Sequence, residues 1–163
     1  MKNALIIVDV QNWAITKHTR NLPKKIAGLV SKRKFGEIIF LKFKNSPKSS
    51  FVRHLGWRGA MKSPETNMVD ELKKFATKDN TFTRTAYSGF FSKKFGKFLK
   101  SRKVKHLYLA GIDTENCVLT TARAVFDRGY KVTVLKSYCG SSANPRLGRA
   151  ALEIIRENIG EVK

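Results

Sequence analysis

Cys117 is the residue of this sequence best placed for nucleophilic chemistry. Before it, the chain passes from an apolar run, Leu107 to Ala110, into the turn Gly111 to Asn116; after it, apolar residues recur at helical spacing. Cys117 therefore stands where the C-terminal end of a predicted strand meets a helix N-terminus, the place where ligands bind in open α/β sheets. Free N–H groups and the helix dipole are expected to lower the pKa of its thiol. The position favours a nucleophile over the alternative, a small buried core residue.

Two charged residues stand at the ends of other predicted strands. Asp9 follows the apolar run Ala4 to Val8, and Arg84 lies in a short predicted strand, Asn80 to Thr85. The carboxyl ends of parallel strands meet at one edge of a sheet, so both side chains are expected near Cys117. Asp9 is interpreted as a functional residue, with a cap or turn residue as the alternative. Arg84 is either the cation of the site or a solvated surface residue.

The order of predicted elements indicates an α/β fold. Further strands are predicted at Glu37 to Phe43 and Lys131 to Leu135. Helices are predicted from Pro23 to about Lys34, within Pro64 to Ala76, after Phe91, from Cys117 to Gly129 and from Asn144 onwards. Strands that alternate with helices predict a three-layer α/β/α architecture with a central, mostly parallel five- to six-stranded sheet of Rossmann-like topology. At this length we expect one domain, residues 1–163.

One long segment interrupts this alternation. Lys44 to Met61 is predicted to be irregular, and it carries Phe51, Leu55 and Trp57. Long loops with their own aromatic residues are often lids or binding loops. We therefore expect this segment to shape the pocket and to determine the substrate.

The charge of the chain is strongly positive and uneven. The net charge is +21, and residues 1–105 hold 25 lysines and arginines against 6 acids, whereas residues 106–163 hold 8 against 6. This excess indicates either a polyanion partner or a solvated basic surface. The second interpretation is favoured because the basic residues are scattered over several predicted elements, so nucleic-acid binding is expected to be weak and non-specific.

The remaining composition limits the environment. No apolar run approaches the roughly 20 residues of a membrane helix, so no membrane partner is expected. The two cysteines form no disulfide framework, and they predict a reducing, cytoplasmic setting.

Several motifs carry a family resemblance. They are Ala4-Leu-Ile-Ile-Val-Asp-Val-Gln11, Tyr87-Ser-Gly-Phe90 and Gly111-Ile-Asp-Thr-Glu-Asn-Cys-Val-Leu119, with Gly129-Tyr-Lys-Val132 behind the last. On these residues, and over nearly its whole length, the chain resembles the isochorismatase-like cysteine hydrolase superfamily, which includes nicotinamidases and N-carbamoylsarcosine amidase. The resemblance implies an isochorismatase-like fold and hydrolysis of a C–N bond.

The resemblance also implies a triad of Asp, Lys and Cys. In this chain Asp9 would take the thiol proton and Cys117 would attack an amide carbonyl, giving a thioester that water hydrolyses. A cis peptide bond between Ile112 and Asp113 would turn the N–H of Asp113 toward the N–H of Cys117, forming an oxyanion hole. The residues expected to contact the substrate are Gln11, Trp13, Tyr87 and Ile112.

The sequence departs from the family at the lysine, because Arg84 occupies that position. Guanidinium stays protonated and pairs with a carboxylate through two hydrogen bonds, unlike a lysine amine. Arg84 is expected to hold Asp9 and to lower the thiol's pKa, but a forked pair would also make Asp9 a weaker proton acceptor. The sequence therefore leaves two possibilities, an active hydrolase and a member of the family with weakened catalysis.

A second departure concerns metal. Nicotinamidases in the family carry an Asp-x-His pattern with further histidines after the second strand, whereas this chain reads Phe43 to Lys48 without histidine. The three histidines are dispersed: His18, His54 and His106. No metal and no cofactor are expected, and nicotinamide is an improbable substrate.

Two functions follow. The first is a metal-independent cysteine hydrolase that cleaves a small amide or carbamoyl substrate. The alternative is a catalytically weak family member that binds a polyanion or another ligand. The resemblance further implies a homo-oligomer, either a dimer or a tetramer.

Overall fold

Six strands form one sheet in which every pair of neighbours is parallel. The computed structural model describes residues 2–32 and 34–163. The strands are β1 (Asn3–Val8), β2 (Glu37–Phe43), β3 (Thr81–Arg84), β4 (His106–Ile112), β5 (Lys131–Gly140) and β6 (Glu161–Val162). Their order across the sheet is β3-β2-β1-β4-β5-β6. The predicted Rossmann-like architecture is confirmed, and the sheet is parallel throughout.

Helices cover both faces of this sheet. They are α1 (Leu22–Ser31), α2 (Ser50–Leu55), α3 (Asp70–Lys73), α4 (Lys93–Ser101), α5 (Leu119–Phe126) and α6 (Pro145–Asn158). Alternate residues of β1 point to opposite faces, so that Ile6 packs in one core with α4, α5 and α6, while Leu5 packs in another with α1 and α3. These two cores complete the three layers.

The direction of winding reverses between β1 and β4, which are neighbours in the sheet although far apart in sequence. In doubly wound sheets the crevice beyond the carboxyl ends at this reversal is where ligands bind. Asp9 follows β1 directly, and Cys117 follows β4 by five residues. The fold thus brings both ends to the crevice.

The predicted helix within Pro64 to Ala76 is much shorter than expected. Only α3 is helical, because the carbonyls of Glu65 and Asn67 accept N–H groups of Trp13 and Asn12. The carbonyl of Thr66 accepts the side-chain amide of Gln11. These carbonyls therefore accept hydrogen bonds from the β1–α1 loop, and they are not available to the backbone N–H groups of a longer helix.

Three other boundaries differ from the prediction. The segment expected to be irregular contains α2, which Ser49 caps by accepting the N–H of Val52. β5 continues to Gly140, because a register shift opposite Leu109 to Gly111 lets pairing resume. α1 ends at Ser31, short of the expected limit near Lys34, and Arg33 lies outside the described residues.

Over residues 2–32 and 34–163, none of the helices is long and apolar enough to cross a membrane.

Candidate active site

Arg84 and Asp9 form a buried, forked ion pair. Nη1 and Nη2 of Arg84 donate to the two carboxylate oxygens of Asp9, each at 2.8 Å, and both side chains are fully buried. Arg84 ends β3, two strands from β1, and strands in a sheet are about 4.8 Å apart. The side chain must therefore cross β2, which the length of arginine permits. Nη2 also donates to the Tyr87 carbonyl at 3.1 Å.

The backbone of Asp9 aims its carboxylate at this pair. Its φ of 52° lies in the left-handed region, which Asp tolerates better than most residues. The N–H of Asp9 donates to the Leu41 carbonyl, and its own carbonyl accepts the N–H of Gln11. Both backbone bonds hold the turn at the end of β1.

Glycine at position 111 lets the end of β4 approach β1. Its φ is +129°, and a Cβ there would lie 2.1 Å from the carbonyl oxygen of Val8. Any side chain would therefore push the two strand ends apart. This approach brings Asp113 and Cys117 beside Asp9.

Cys117 lies in a turn of π-helix, Thr114–Val118, that leads into α5. The carbonyl of Asp113 accepts the N–H groups of Asn116 and Val118, which flank Cys117. The peptide bond between Ile112 and Asp113 is cis, in agreement with the resemblance. Such π-turns within helices are frequent at functional sites.

The expected lowering of the thiol's pKa is contradicted. Burial raises the pKa of Cys117 well above its usual value, and the negative charge of Asp9 raises it further, while Arg84 acts in the opposite direction. The thiol is only 5% exposed, so desolvation outweighs the helix terminus. Cys117 is therefore a neutral thiol at rest, and it needs a base to become a nucleophile.

The cation of the site remains charged. Burial opposes the charged form of Arg84, but the negative charge of Asp9 and its hydrogen bonds to the guanidinium prevail and raise its pKa. Arg84 is thus not the solvated surface residue that the sequence left open. Its Nε–H is buried without a partner in the described structure.

A cavity of about 400 Å³ opens in front of Cys117. Its walls come from the β1–α1 loop, the segment that contains α2, and the turns after β3, β4 and β5. The lining residues are Trp13, Phe43, Phe51, Leu55, Trp57, Gly59, Glu65, Tyr87, Asp113, Asn116, Cys117, Ser142 and Ala143. Asp9 and Arg84 lie behind the thiol and outside this lining. The volume is in the range of small-molecule sites.

Asn45 fixes the segment that forms much of this wall. Its side-chain amide donates to the carbonyls of Trp57 and Gly59 at 3.2 and 3.1 Å, and its backbone N–H donates to the carbonyl of Ala60 at 2.8 Å. The two ends of the segment therefore meet at one buried residue. The expectation that Lys44 to Met61 shapes the pocket agrees with this geometry.

Two of the residues expected to contact substrate line the cavity: Trp13 and Tyr87. Burial raises the pKa of Tyr87, so its phenol stays protonated. The others, Gln11 and Ile112, lie outside the lining. Gln11 is fully buried and its amide bonds to the backbone of Phe43 and Thr66.

Sequence reasoning did not single out several lining residues, among them Phe43, Glu65, Asn116, Ser142 and Ala143. Phe43 ends β2 and Ser142 follows β5, so the rule on strand ends would have found both. No sequence pattern indicated that Glu65 would line the cavity, because its position depends on contacts between distant loops. The N–H of Ala60 donates to its carboxylate at 2.7 Å.

The possible metal ligands are dispersed. Within the described part of the chain, no group of three or more His, Cys, Asp or Glu side chains is arranged to hold a metal ion. None of the three histidines lines the cavity.

The sheet order, the strand-end cavity and the buried cluster of Asp9, Arg84 and Cys117 define a three-layer α/β/α protein with a cysteine at its ligand-binding edge. The sequence profile of the Isochorismatase domain matches residues 3–163, and the chain belongs to the isochorismatase family of hydrolases.

Solved structures support the same fold. Nicotinamidase PncA from Bacillus subtilis superposes with a TM-score of 0.85 at 21% identity, covering 100% of this chain and 99% of that one. N-carbamoylsarcosine amidase from Thermoplasma acidophilum gives a TM-score of 0.83 at 23% identity, covering 100% and 96%. At such identities the similarity establishes the fold.

Sequence relatives include ureidoacrylate amidohydrolase RutB from Caulobacter segnis. It is 36% identical over 95 residues, which are 58% of this chain and 39% of that protein. RutB from Cronobacter sakazakii is 34% identical over 95 residues, or 58% and 40%. The chain thus aligns with about two fifths of the length of these relatives.

Proposed function

We propose that the protein is a cysteine hydrolase that cleaves the C–N bond of a small amide or carbamoyl substrate through a thioester, without a metal ion. The observation that carries this proposal is the placement of Cys117 at the cavity with Asp9 and Arg84 buried behind it. Relatives named as amidohydrolases and amidases support the same bond type.

Acylation begins with proton transfer. The thiol of Cys117 is neutral at rest, so Asp9 must accept its proton as the sulfur attacks the carbonyl carbon. Each oxygen of Asp9 already accepts one hydrogen bond from Arg84, but a carboxylate oxygen has a further lone pair for the proton. Arg84 stabilises the carboxylate and favours the thiolate.

The oxyanion formed by this attack needs hydrogen-bond donors. We assign this role to the N–H groups of Asp113 and Cys117, both of which belong to residues that line the cavity. As the intermediate collapses, the proton on Asp9 passes to the leaving nitrogen, and ammonia or an amine departs.

Deacylation reverses these roles. Asp9 takes a proton from water, hydroxide adds to the thioester carbonyl, and the C–S bond breaks to release a carboxylic or carbamic acid. The proton returns to sulfur, which restores the thiol. Trp13 and Tyr87 bind the substrate in this proposal, and Gln11 positions the loop after β1.

The test is an ammonia-release screen over small amides, ureides and carbamoyl compounds. Cys117→Ala should lose activity by about a thousandfold or more, as for other nucleophiles that act in a unit. Cys139→Ala is the matched control and should retain it. Activity that survives in Cys117→Ala would refute the proposal.

The alternative function has its own outcome in the same screen. A catalytically weak member would hydrolyse none of the compounds, yet some of them would raise the melting temperature of both the unmodified protein and Cys117→Ala. The forked pair is the feature that favours this alternative, because it engages both oxygens of Asp9.

A further inference from the structure

The charges that line the cavity are opposite in sign to the chain as a whole. The chain carries 33 lysines and arginines and a net charge of +21. Yet the lining residues within the described ranges include no lysine, arginine or histidine, whereas two carboxylates, Glu65 and Asp113, are among them. The only charged side chains that a substrate would meet in this described lining are therefore acidic.

Both carboxylates are held in place. The Glu65 carboxylate accepts the N–H of Ala60 at 2.7 Å at the mouth of the cavity. The buried carboxylate of Asp113 accepts the N–H of Ser142 at 2.6 Å. Burial raises the pKa of Asp113, and the bond from Ser142 counteracts this shift. An anionic substituent beside these groups would be repelled.

Five aromatic side chains form a continuous part of the wall. The ring centroids of Trp13 and Trp57 are 5.5 Å apart, those of Phe43 and Phe51 4.9 Å, and those of Phe51 and Tyr87 4.9 Å. Aromatic faces are negative and attract cations. Aromatic rings also pack well against a flat, apolar substituent, and they form no favourable electrostatic interaction with a carboxylate.

Neither Arg84 nor the basic residues of the adjoining cavity supply that compensation. Arg84 is fully buried and bound to Asp9. Lys48, Arg53 and His54 line a second cavity, on the other side of a wall to which Phe51, Leu55 and Tyr87 contribute. None of these basic residues belongs to the lining in front of Cys117.

We infer that the cavity selects substrates by charge: flat aromatic amides or carbamoyl compounds with a cationic substituent are preferred to neutral ones, and those with a carboxylate are rejected. This inference rests on the proposed function. It separates the chain from its relatives named ureidoacrylate amidohydrolase, because ureidoacrylate carries a carboxylate that would meet no cation here.

The experiment uses three amides of matched shape: 4-(aminomethyl)benzamide, 4-methylbenzamide and 4-carboxybenzamide, which are cationic, neutral and anionic. We expect kcat/KM to fall in that order, with about a hundredfold between the first and the last, since unfavourable charge contacts cost several kcal/mol. Equal rates, or a preference for 4-carboxybenzamide, would overturn the inference while leaving the proposed function intact.

Glu65→Lys provides the second arm. It should raise the rate with 4-carboxybenzamide relative to 4-(aminomethyl)benzamide by about tenfold, mainly through KM, because Glu65 is at the solvent-exposed mouth. The matched control is Glu157→Lys, which makes the same change in charge at an exposed residue outside the lining. The inference is overturned if both variants behave alike.

Binding is measured separately in Cys117→Ala by calorimetry with the same three compounds. The affinity should follow the same order even if none is hydrolysed, in which case only the proposed function fails. Absence of binding by all three, or tighter binding of the anion, contradicts the charge selection itself.

Discussion

Arg84 and Asp9 are joined by two parallel hydrogen bonds of 2.8 Å, and neither side chain reaches solvent. Such a pair costs desolvation to form, but the loss of one partner leaves the other charge buried and uncompensated. The pair is therefore both a part of the candidate site and a constraint on the stability of the fold. It also ties β3 to β1 across the intervening strand.

Removing the guanidinium should destabilise the protein strongly. In Arg84→Ala we expect the free energy of unfolding to fall by about 3–5 kcal/mol, the usual cost of leaving one buried charge unpaired. Urea denaturation measures it. The control is Arg102→Ala, whose pair with Glu37 is partly exposed and should contribute at most about 1 kcal/mol. Equal losses in the two variants would contradict the importance of burial.

The same position should control turnover. Arg84→Lys keeps the charge and frees one oxygen of Asp9 from its hydrogen bond to the guanidinium, so we expect kcat to be kept or increased. Arg84→Ala removes the group that opposes the raised pKa of Cys117, and should slow acylation by about a hundredfold or more. Stopped-flow measurement of the first turnover tests both. A folded Arg84→Ala with an unchanged acylation rate would remove Arg84 from the mechanism.

Cys117 should be the more reactive thiol. Burial raises the pKa of both thiols, but Cys117 lines the cavity beside the carboxylate of Asp9, whereas Cys139 lies outside that lining and its sulfur contacts the carbonyl of Leu109 at 3.9 Å. Iodoacetamide at neutral pH should label Cys117 first, as read by peptide mass spectrometry. The fast phase should persist in Cys139→Ala and vanish in Cys117→Ala. Equal labelling of both thiols would remove a main support for the nucleophile.

Cys139 should also make stability depend on alkaline pH. A thiol whose folded pKa is raised from 9.0 to about 12 keeps its proton in the folded state after the unfolded chain has lost it. Stability should therefore fall as pH rises between these values, by about 1.4 kcal/mol per pH unit for this one group. Urea unfolding between pH 9 and 11 should show a shallower fall in Cys139→Ala. If the unmodified protein and Cys139→Ala lose the same free energy of unfolding as pH rises, Cys139 is not the group responsible for the loss.

The positive surface should bind nucleic acid weakly and without sequence preference. Two helical regions each present three lysines beside a shallow groove with one tyrosine: Lys93, Lys97 and Lys100 on α4, and Lys24 and Lys25 on α1 with Lys32 directly after it. Replacing either set by glutamine should weaken binding of a mixed-sequence single-stranded DNA to a similar extent, and affinity should fall steeply with salt. Fluorescence anisotropy is the measurement. A salt-resistant complex, or a loss confined to one set, would indicate a dedicated site.

Sequence patterns predicted the parts of the fold that depend on local periodicity. The central runs of β1, β2 and β4 are apolar because both faces of the sheet are covered there, and this pattern is distinctive: Ala4 to Val8, Ile38 to Leu41 and Leu107 to Ala110. The short α3 and the six residues of α2 were mispredicted, since each depends on which distant backbone groups compete for its hydrogen bonds. Asp9, Arg84 and Cys117 were found because they stand at strand ends.

Two properties of the site lay beyond the sequence. The position of Cys117 at a helical turn suggested a lowered pKa, but burial raises it, and burial is set by packing of the whole sheet edge. The acidic lining of the cavity was equally hidden, because Glu65 reaches it from a loop with no periodic pattern. A net charge of +21 gave no indication of a negative interior.

The hydrogen bonds of Asn45 have a consequence for engineering and for divergence within the family. They close residues 46–59 into a loop whose ends touch, while Asp9, Arg84 and Cys117 are all supplied by other parts of the chain. A closed loop of this kind can be exchanged as one unit, since a graft needs to match the short gap between its two ends and the aromatic contacts to Trp13, Phe43 and Tyr87. New substrate ranges can therefore arise by replacing one contiguous stretch of chain, with the reacting groups left untouched.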